Sequence, residues 1–202
     1  MKYYISDLHL NHKNVTAEGK NFDNRPFNTL DEMHEAILKN WNSRVTNSDT
    51  VYLLGDSIWK LNEEMIGLMA KLKGQKVAIK GNHDNFNDIR YKQLFSEICD
   101  YKEVSDNIQG DNRMVVLSHF PIMMWNGQQR DWIHLYGHVH NSNDYAFYKD
   151  SLKRLNDYYK EKNGENYKKF RAYNVGCMLD YMGYTPRTLT EIVHANETKN
   201  GE

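Results

Sequence analysis

The sequence predicts a layered α/β domain. Short apolar or β-branched runs recur along the chain, and segments of helical periodicity lie between them. Most of these runs are also followed within a few residues by Asp, Asn or His, several of them beside a glycine, so one sheet edge collects polar side chains. The 202 residues read as a single domain over 1–195 with a flexible polar tail over 196–202, long enough to bury a core without disulfides or a structural metal.

Strand-like sequence begins at Lys2-Tyr3-Tyr4-Ile5, which leaves no room for a secretory leader. Thr29-Leu30-Asp31-Glu32 has the form of a capping box, and Leu30, Met33, Ile37 and Trp41 then recur at helical spacing. Val51 to Leu54 is the next strand. Asn62 precedes a second helix, whose Leu61, Met65, Leu68 and Leu72 share a face. Val77 to Ile79, Met114 to Leu117 and Ile133 to Tyr136 are brief apolar runs of the kind buried on both faces of a sheet. From about 141 to 170 the chain turns charged and tyrosine-rich, and reads as a helical insertion before a last strand, Arg171 to Val175. Its tyrosines either pack on the domain with the lysines in water, or offer a stacking tract for bases. Because it starts directly after His140, a specificity lid is a further reading.

Composition narrows the function classes. With 26 basic and 27 acidic residues the formal net charge is −1, so no global attraction draws the chain to nucleic acid or an anionic membrane. No apolar run approaches the roughly 20 residues of a membrane span. Cys99 and Cys177 form no C-x-x-C pair, which argues against a disulfide framework or thiolate zinc site and fits a reducing, cytoplasmic setting.

The strand ends carry the chemistry. They read Ser6-Asp7-Leu8-His9, Gly55-Asp56, Gly81-Asn82-His83-Asp84, Ser118-His119 and Gly137-His138-Val139-His140. Ligands of open α/β sheets bind at this edge, and a glycine before a polar residue lets the backbone turn sharply and approach something closely. Asp, Asn and His supply oxygen and nitrogen donors without a thiolate, which suits Mn, Fe or Zn. The donors are too many for one ion. Two divalent ions roughly 3.5–4 Å apart use them all, and such a pair clamps a phosphate, generates hydroxide near neutral pH and stabilises an in-line displacement.

This ordered set, D-x-H, G-D, G-N-H-D, S-H and G-H-x-H, resembles the calcineurin-like metallophosphoesterase family over Asp7 to His140, and Asn174-Val175-Gly176 is similar as well. The resemblance implies a four-layer αββα sandwich with a dinuclear site at the carboxyl ends of the strands. It implies that Asp7, His9 and His140 hold one ion, that Asn82, His119 and His138 hold the other, and that Asp56 bridges them, with Mn2+ the first choice. It further implies that His83 protonates the leaving oxygen while Asp84 orients its ring. Ser57-Ile58-Trp59-Lys60 departs from the protein-phosphatase branch in lacking its acidic or arginine residue, so phosphoproteins are weak candidates. The function implied is a metal-dependent phosphoesterase, with a phosphodiesterase on a nucleotide-like or other small substrate ahead of a phosphomonoesterase. A non-catalytic scaffold and a single-strand nuclease are the alternatives from other classes.

His12 and Arg25 lie in loops after the first motif, where they either bind a phosphate oxygen, the task of a guanidinium fork, or merely cap local structure. His34 and His194 read as ordinary helix or surface histidines, and His134 as a strand histidine with a backbone partner. The four tryptophans read mostly as core, Trp125 being the one placed to stack on a base.

Overall fold

The computed structural model describes residues 1–198. Among the described residues, eight strands form two four-stranded sheets. In the first, β1 (Lys2–Ile5), β2 (Thr50–Leu53), β3 (Gln75–Ile79) and β4 (Phe95–Cys99) run parallel in that order. In the second, β5 (Tyr101–Ile108) pairs antiparallel with β6 (Asp111–Ser118), which is followed by the parallel strands β7 (Ile133–Tyr136) and β8 (Arg171–Asn174). Only Asp100 separates β4 from β5, so the chain passes straight from the edge of one sheet to the edge of the other.

Alternation along the strands builds the layers. Tyr4 and Tyr52 stack at 5.3 Å, and the Tyr4 hydroxyl donates to Asp106 on β5, so this face meets the second sheet. Their neighbour Tyr3 points the other way and donates to the carbonyl of Arg44, the last residue of helix α1 (Leu30–Arg44). Met33, Ile37 and Trp41 of α1, and Met65 and Met69 of α2 (Glu63–Lys71), fill the main core with both sheets. On the second sheet Val115, Leu117, Ile133 and Leu135 join that core, whereas Val116, Tyr136 and Ala172 face outward.

Capping defines the helix starts. Thr29 accepts from the Glu32 N–H, but the Glu32 carboxylate reaches past Thr29 to the Asn28 N–H at 2.7 Å. Asn62 caps α2 by accepting from the Met65 N–H. The complete reciprocal capping box lies at Thr188 and Glu191, before α5 (Leu189–Glu197), which packs on β1, β5 and β8. A single-turn helix, α3 (Ile89–Lys92), precedes β4.

The segment read as an insertion is the crossover between the parallel strands β7 and β8. Its helix α4 (Asn143–Asn163) is capped by Ser142 and supplies the outermost layer. Tyr148, Leu152, Leu155 and Tyr159 lie on one stripe and pack on the outward residues of the second sheet, with Phe170 and Trp125 beside them. Tyr145, Tyr148 and Tyr159 are therefore packing groups, whereas Tyr158 is exposed, and a helix so seated is a structural layer. Of the tail expected from residue 196, Asn196 and Glu197 belong to α5, and residues 199–202 lie outside the described residues. Among the described residues no helix is long and apolar enough to cross a membrane.

His134 has the backbone partner expected of it, and a second one. Its Nδ1–H donates to the Val116 carbonyl at 3.1 Å and its Nε2 accepts from the Ile122 N–H at 3.0 Å. Complete burial pushes its pKa down to about 4. The unfolded ring titrates near ~6.5, so the unfolded chain binds the extra proton between those values. The neutral buried ring therefore contributes stability that is complete above pH ~6.5 and is lost as the pH falls toward 4, by up to roughly 3 kcal/mol. Denaturant titrations in chelator should show a shallower fall across this window for His134→Asn than for the parent, by up to about 1.4 kcal/mol per pH unit. Parallel curves would refute the account.

Candidate metal centre

The site is built where β1 runs on between the two sheets. Past Ile5, the Ser6 N–H donates to the Val175 carbonyl and the Cys177 N–H to that of Ser6, on the side of β8. The Asp7 N–H donates to the Gly55 carbonyl and the His9 N–H to that of Asp56, on the side of β2. This stitch brings the loops after β2 and β3 against those after β6 and β7. It demands close approach: an added Cβ at Gly81 would lie 2.2 Å from Asp56 Oδ1, and one at Gly137 would lie 2.6 Å from Asp7 Oδ2. Asp7, His9, Asp56, His138 and His140 all have positive φ, between 48° and 70°. Left-handed backbone at non-glycine residues costs of order 1–3 kcal/mol each and persists only where the surroundings over-determine it. Here it turns five of the site's chemical groups inward.

Two donor groups result, Asp7 with His9 and His140, and Asp56 with His119 and His138. His140 donates from Nδ1 to Asp23 Oδ2 at 2.9 Å, leaving the Nε2 lone pair to face His9 Nε2 at 3.1 Å and Asp7 Oδ1 at 3.7 Å. His9 Nδ1 is buried without a partner. In the second group His119 Nδ1 donates to the Leu54 carbonyl at 2.8 Å, and its Nε2 meets Asn82 Oδ1 at 3.1 Å and Asp56 Oδ2 at 3.5 Å. Donors bound about 2.1 Å from one ion stand about 3–3.4 Å apart. Converging lone pairs at such separations fit a divalent cation in each group. Asp56 Oδ2 also lies 3.8 Å from His9 Nε2, so one carboxylate oxygen faces both groups. Burial opposes charge at Asp56 and at His119, yet their mutual attraction prevails, lowering the carboxyl pKa and raising that of the imidazole.

Asp84 does not orient His83. Its two carboxylate oxygens accept from the backbone N–H groups of Asp56, Ser57 and Gly81, each at 2.9 Å. The turn after β3 folds this side chain back on the main chain, as aspartates at turns do. It ties the β2 and β3 loops together, and in the same turn the His83 N–H donates to Asp56 Oδ1 at 2.9 Å. Asp84 is a positioning residue for Asp56. The His83 ring is exposed, 4.3 Å from Trp59 and 5.9 Å from His9 between ring centroids.

Arg25 is likewise not placed to take a phosphate. It is 1% exposed, and its guanidinium donates to the carbonyls of Asp7 and Leu8 and to the Asp23 carboxylate. It lies beneath the site and holds the backbone of the first motif. His12 does reach the site: its ring stacks on Trp59 at 3.9 Å and lies 5.3 Å from His9. Burial and the charge of Arg25 push its pKa down to about 4. Trp59 is thus a site residue and not core, while Trp125 is buried, donates to the Trp132 carbonyl and cannot stack on a base. His34 accepts the Asn11 N–H from within α1.

Asp23 has no counterpart in the sequence reading. Burial opposes its charge, but the hydrogen bond from His140 and the Arg25 guanidinium hold its carboxyl below the usual range. No spacing rule marks it, because Asp23 and His140 are joined only by the fold. Phe22 and Phe120 are exposed beside the histidines; Phe120 is signalled by its adjacency to His119, and nothing in the sequence signals Phe22.

Paired Asp/His donor groups at the strand ends of a two-sheet α/β sandwich define a metallohydrolase class. The model of the calcineurin-like phosphoesterase family matches residues 3–163, and the chain belongs to that family, which makes it a metal-dependent phosphoesterase. It is 33% identical over 157 residues to the uncharacterised protein MJ1445 of Methanocaldococcus jannaschii, covering 76% of this chain and 78% of that one. It is 26% identical over 164 residues to the Gene 66 protein of Mycobacterium phage L5, covering 69% and 77%. Among solved structures, a protein of unknown function from Aquifex aeolicus, AQ665, shares the fold with a TM-score of 0.67 at 24% identity, over 96% of this chain and 98% of that one.

Proposed function

We propose that the protein is a phosphodiesterase acting on a small, nucleotide-like substrate, with Asp7, His9 and His140 binding one divalent ion, Asn82, His119 and His138 a second, and Asp56 both. Mn2+ is the first choice of metal, since carboxylate and amide oxygens accompany the imidazoles; Fe and Zn are the alternatives. When bound, the ions polarise the phosphate and supply the attacking water. His83 then gives a proton to the departing ester oxygen: the bond from phosphorus to the water oxygen forms as that water releases a proton to solvent, the bond to the leaving oxygen breaks, and the ring regains a proton from solvent. Its exposure at the rim, free of the metal groups, supports this role and supports an enzyme over a scaffold.

The observation that carries the diester reading is the position of Arg25. Its charge bears on His9 and His12, yet its guanidinium is turned beneath the site with its donors engaged by Asp7, Leu8 and Asp23. A phosphomonoester carries nearly two charges near pH 7, a diester one. A site whose buried guanidinium is turned away from the substrate suits the lesser charge. The single-strand nuclease reading has less support, because Tyr148, Tyr159 and Trp125 are packing groups. A metal-reconstituted screen of phosphomonoesters, phosphodiesters, cyclic nucleotides and short oligonucleotides tests the proposal. Turnover confined to monoesters would overturn it.

The bond from His140 to Asp23 gives a second test. Carboxylates behind a ligating histidine fix its tautomer, and their loss costs about 10–100-fold in metal affinity. Asp23→Asn is expected to weaken one of two ions by that factor in a competition titration, and also to lower the midpoint of unfolding in chelator, because the buried Arg25 guanidinium loses its carboxylate partner. Equal affinities in parent and variant would remove Asp23 from the site.

A further inference from the structure

Two exposed phenyl rings flank the donor groups, one on each side. Phe22, 51% exposed, lies 5.4 Å from the His140 ring and 5.7 Å from that of His12. Phe120, 50% exposed, lies 4.5 Å from His138 and 5.1 Å from His119. Exposed apolar residues scattered singly need no explanation. These two differ in that each touches histidines of a different donor group, and in that each stands on held backbone. The Phe22 N–H donates to the Asn14 carbonyl, and the following Asp23 is bonded to His140. The Phe120 carbonyl accepts from the Ser118 hydroxyl, and Pro121 follows.

The remaining aromatic groups assign the sides. His83, Trp59, His12 and Phe22 form a continuous series of rings, with centroid separations of 4.3, 3.9 and 5.7 Å. Phe120 lies outside that series; its ring contacts among the described residues are with His119 and His138. A diester phosphorus bears two ester oxygens, and only one can leave toward the proton donor.

We propose that Phe22, with Trp59 and His12, forms a subsite for the leaving group, and that Phe120 forms a separate subsite for a planar ring on the ester substituent that stays on phosphorus. The inference rests on the phosphodiesterase reading and adds to it that both substituents are recognised, each through an apolar ring face. Planar groups stack on such faces with little regard to identity, as nucleobases and aryl groups do.

The test compares phenyl p-nitrophenyl phosphate with methyl p-nitrophenyl phosphate in the manganese-loaded protein. The two share a leaving group and differ in the staying substituent. Phe120→Ala is expected to lower the phenyl-over-methyl ratio of kcat/KM by about tenfold, the scale of a lost aromatic contact. Phe22→Ala is expected to keep that ratio within about twofold of the parent while lowering kcat/KM for both esters. Calorimetric binding of diphenyl phosphate against methyl phenyl phosphate supplies a readout independent of turnover, and its ratio should fall likewise in Phe120→Ala. A parent that cleaves monoesters alone overturns the diesterase reading. A parent that cleaves both diesters, with a ratio unmoved by Phe120→Ala, overturns the Phe120 subsite, and equal loss of the ratio in both variants overturns the assignment of sides.

Discussion

Asp56→Asn is expected to abolish two-metal binding and with it phosphoester hydrolysis. Asp56 Oδ1 is occupied by the His83 N–H, while Oδ2 faces His9 at 3.8 Å and His119 at 3.5 Å. An asparagine that keeps the bond from His83 must turn its amide NH2 toward both donor groups, placing hydrogens where cations are to sit. Loss of a supporting carboxylate costs about 10–100-fold in metal affinity, so loss of one shared between two ions should exceed about 100-fold for the pair. The fold should persist, because the substitution keeps the size of the side chain and removes no apolar group, and Asp84 keeps its bonds to the backbone at 56, 57 and 81. Metal content by mass spectrometry after gel filtration checks this, beside the unfolding midpoint in chelator. Two ions retained per chain would remove Asp56 from its bridging role.

The residues of the two donor groups were legible in the sequence because each follows within a few residues of an apolar run, and a residue just past a strand end has one edge of the sheet to face. What lay around them was not legible, since it depends on depth and on contacts remote in sequence. Arg25 reads as a phosphate ligand until the fold buries it beneath Asp7 and Leu8. Asp84 reads as a partner for its neighbour His83 because adjacency is all a sequence offers; the turn sends the carboxylate to main-chain donors instead. β5 escaped notice because Val104 is its one buried side chain and its other residues are polar or partly exposed at a sheet edge. α4 looked like an insertion for a related reason: one stripe of the helix meets the sheet, and its remaining faces carry the lysines and acids that dominate the composition. The Thr188 to Glu191 capping box was present and would have placed α5.

His83→Ala separates the chemistry from metal binding, and its expected effect depends on the leaving group. The ring is exposed, stands 5.9 Å from His9 and 4.3 Å from Trp59, and belongs to neither donor group. The main-chain N–H of residue 83, which steadies Asp56, survives the substitution. Both ions should therefore stay at parental affinity. A positioned general acid contributes about 10²–10⁴-fold, and the variant should lose kcat by that factor on diesters with alkoxide leaving groups, which depart only when protonated. A nitrophenolate needs little protonation, so bis(p-nitrophenyl) phosphate should lose far less. The same difference should appear as a steeper dependence of kcat on leaving-group pKa in the variant across a series of substituted phenyl esters. Equal losses on good and poor leaving groups, with the metals still bound, would show that His83 holds the phosphate and that the proton comes from elsewhere.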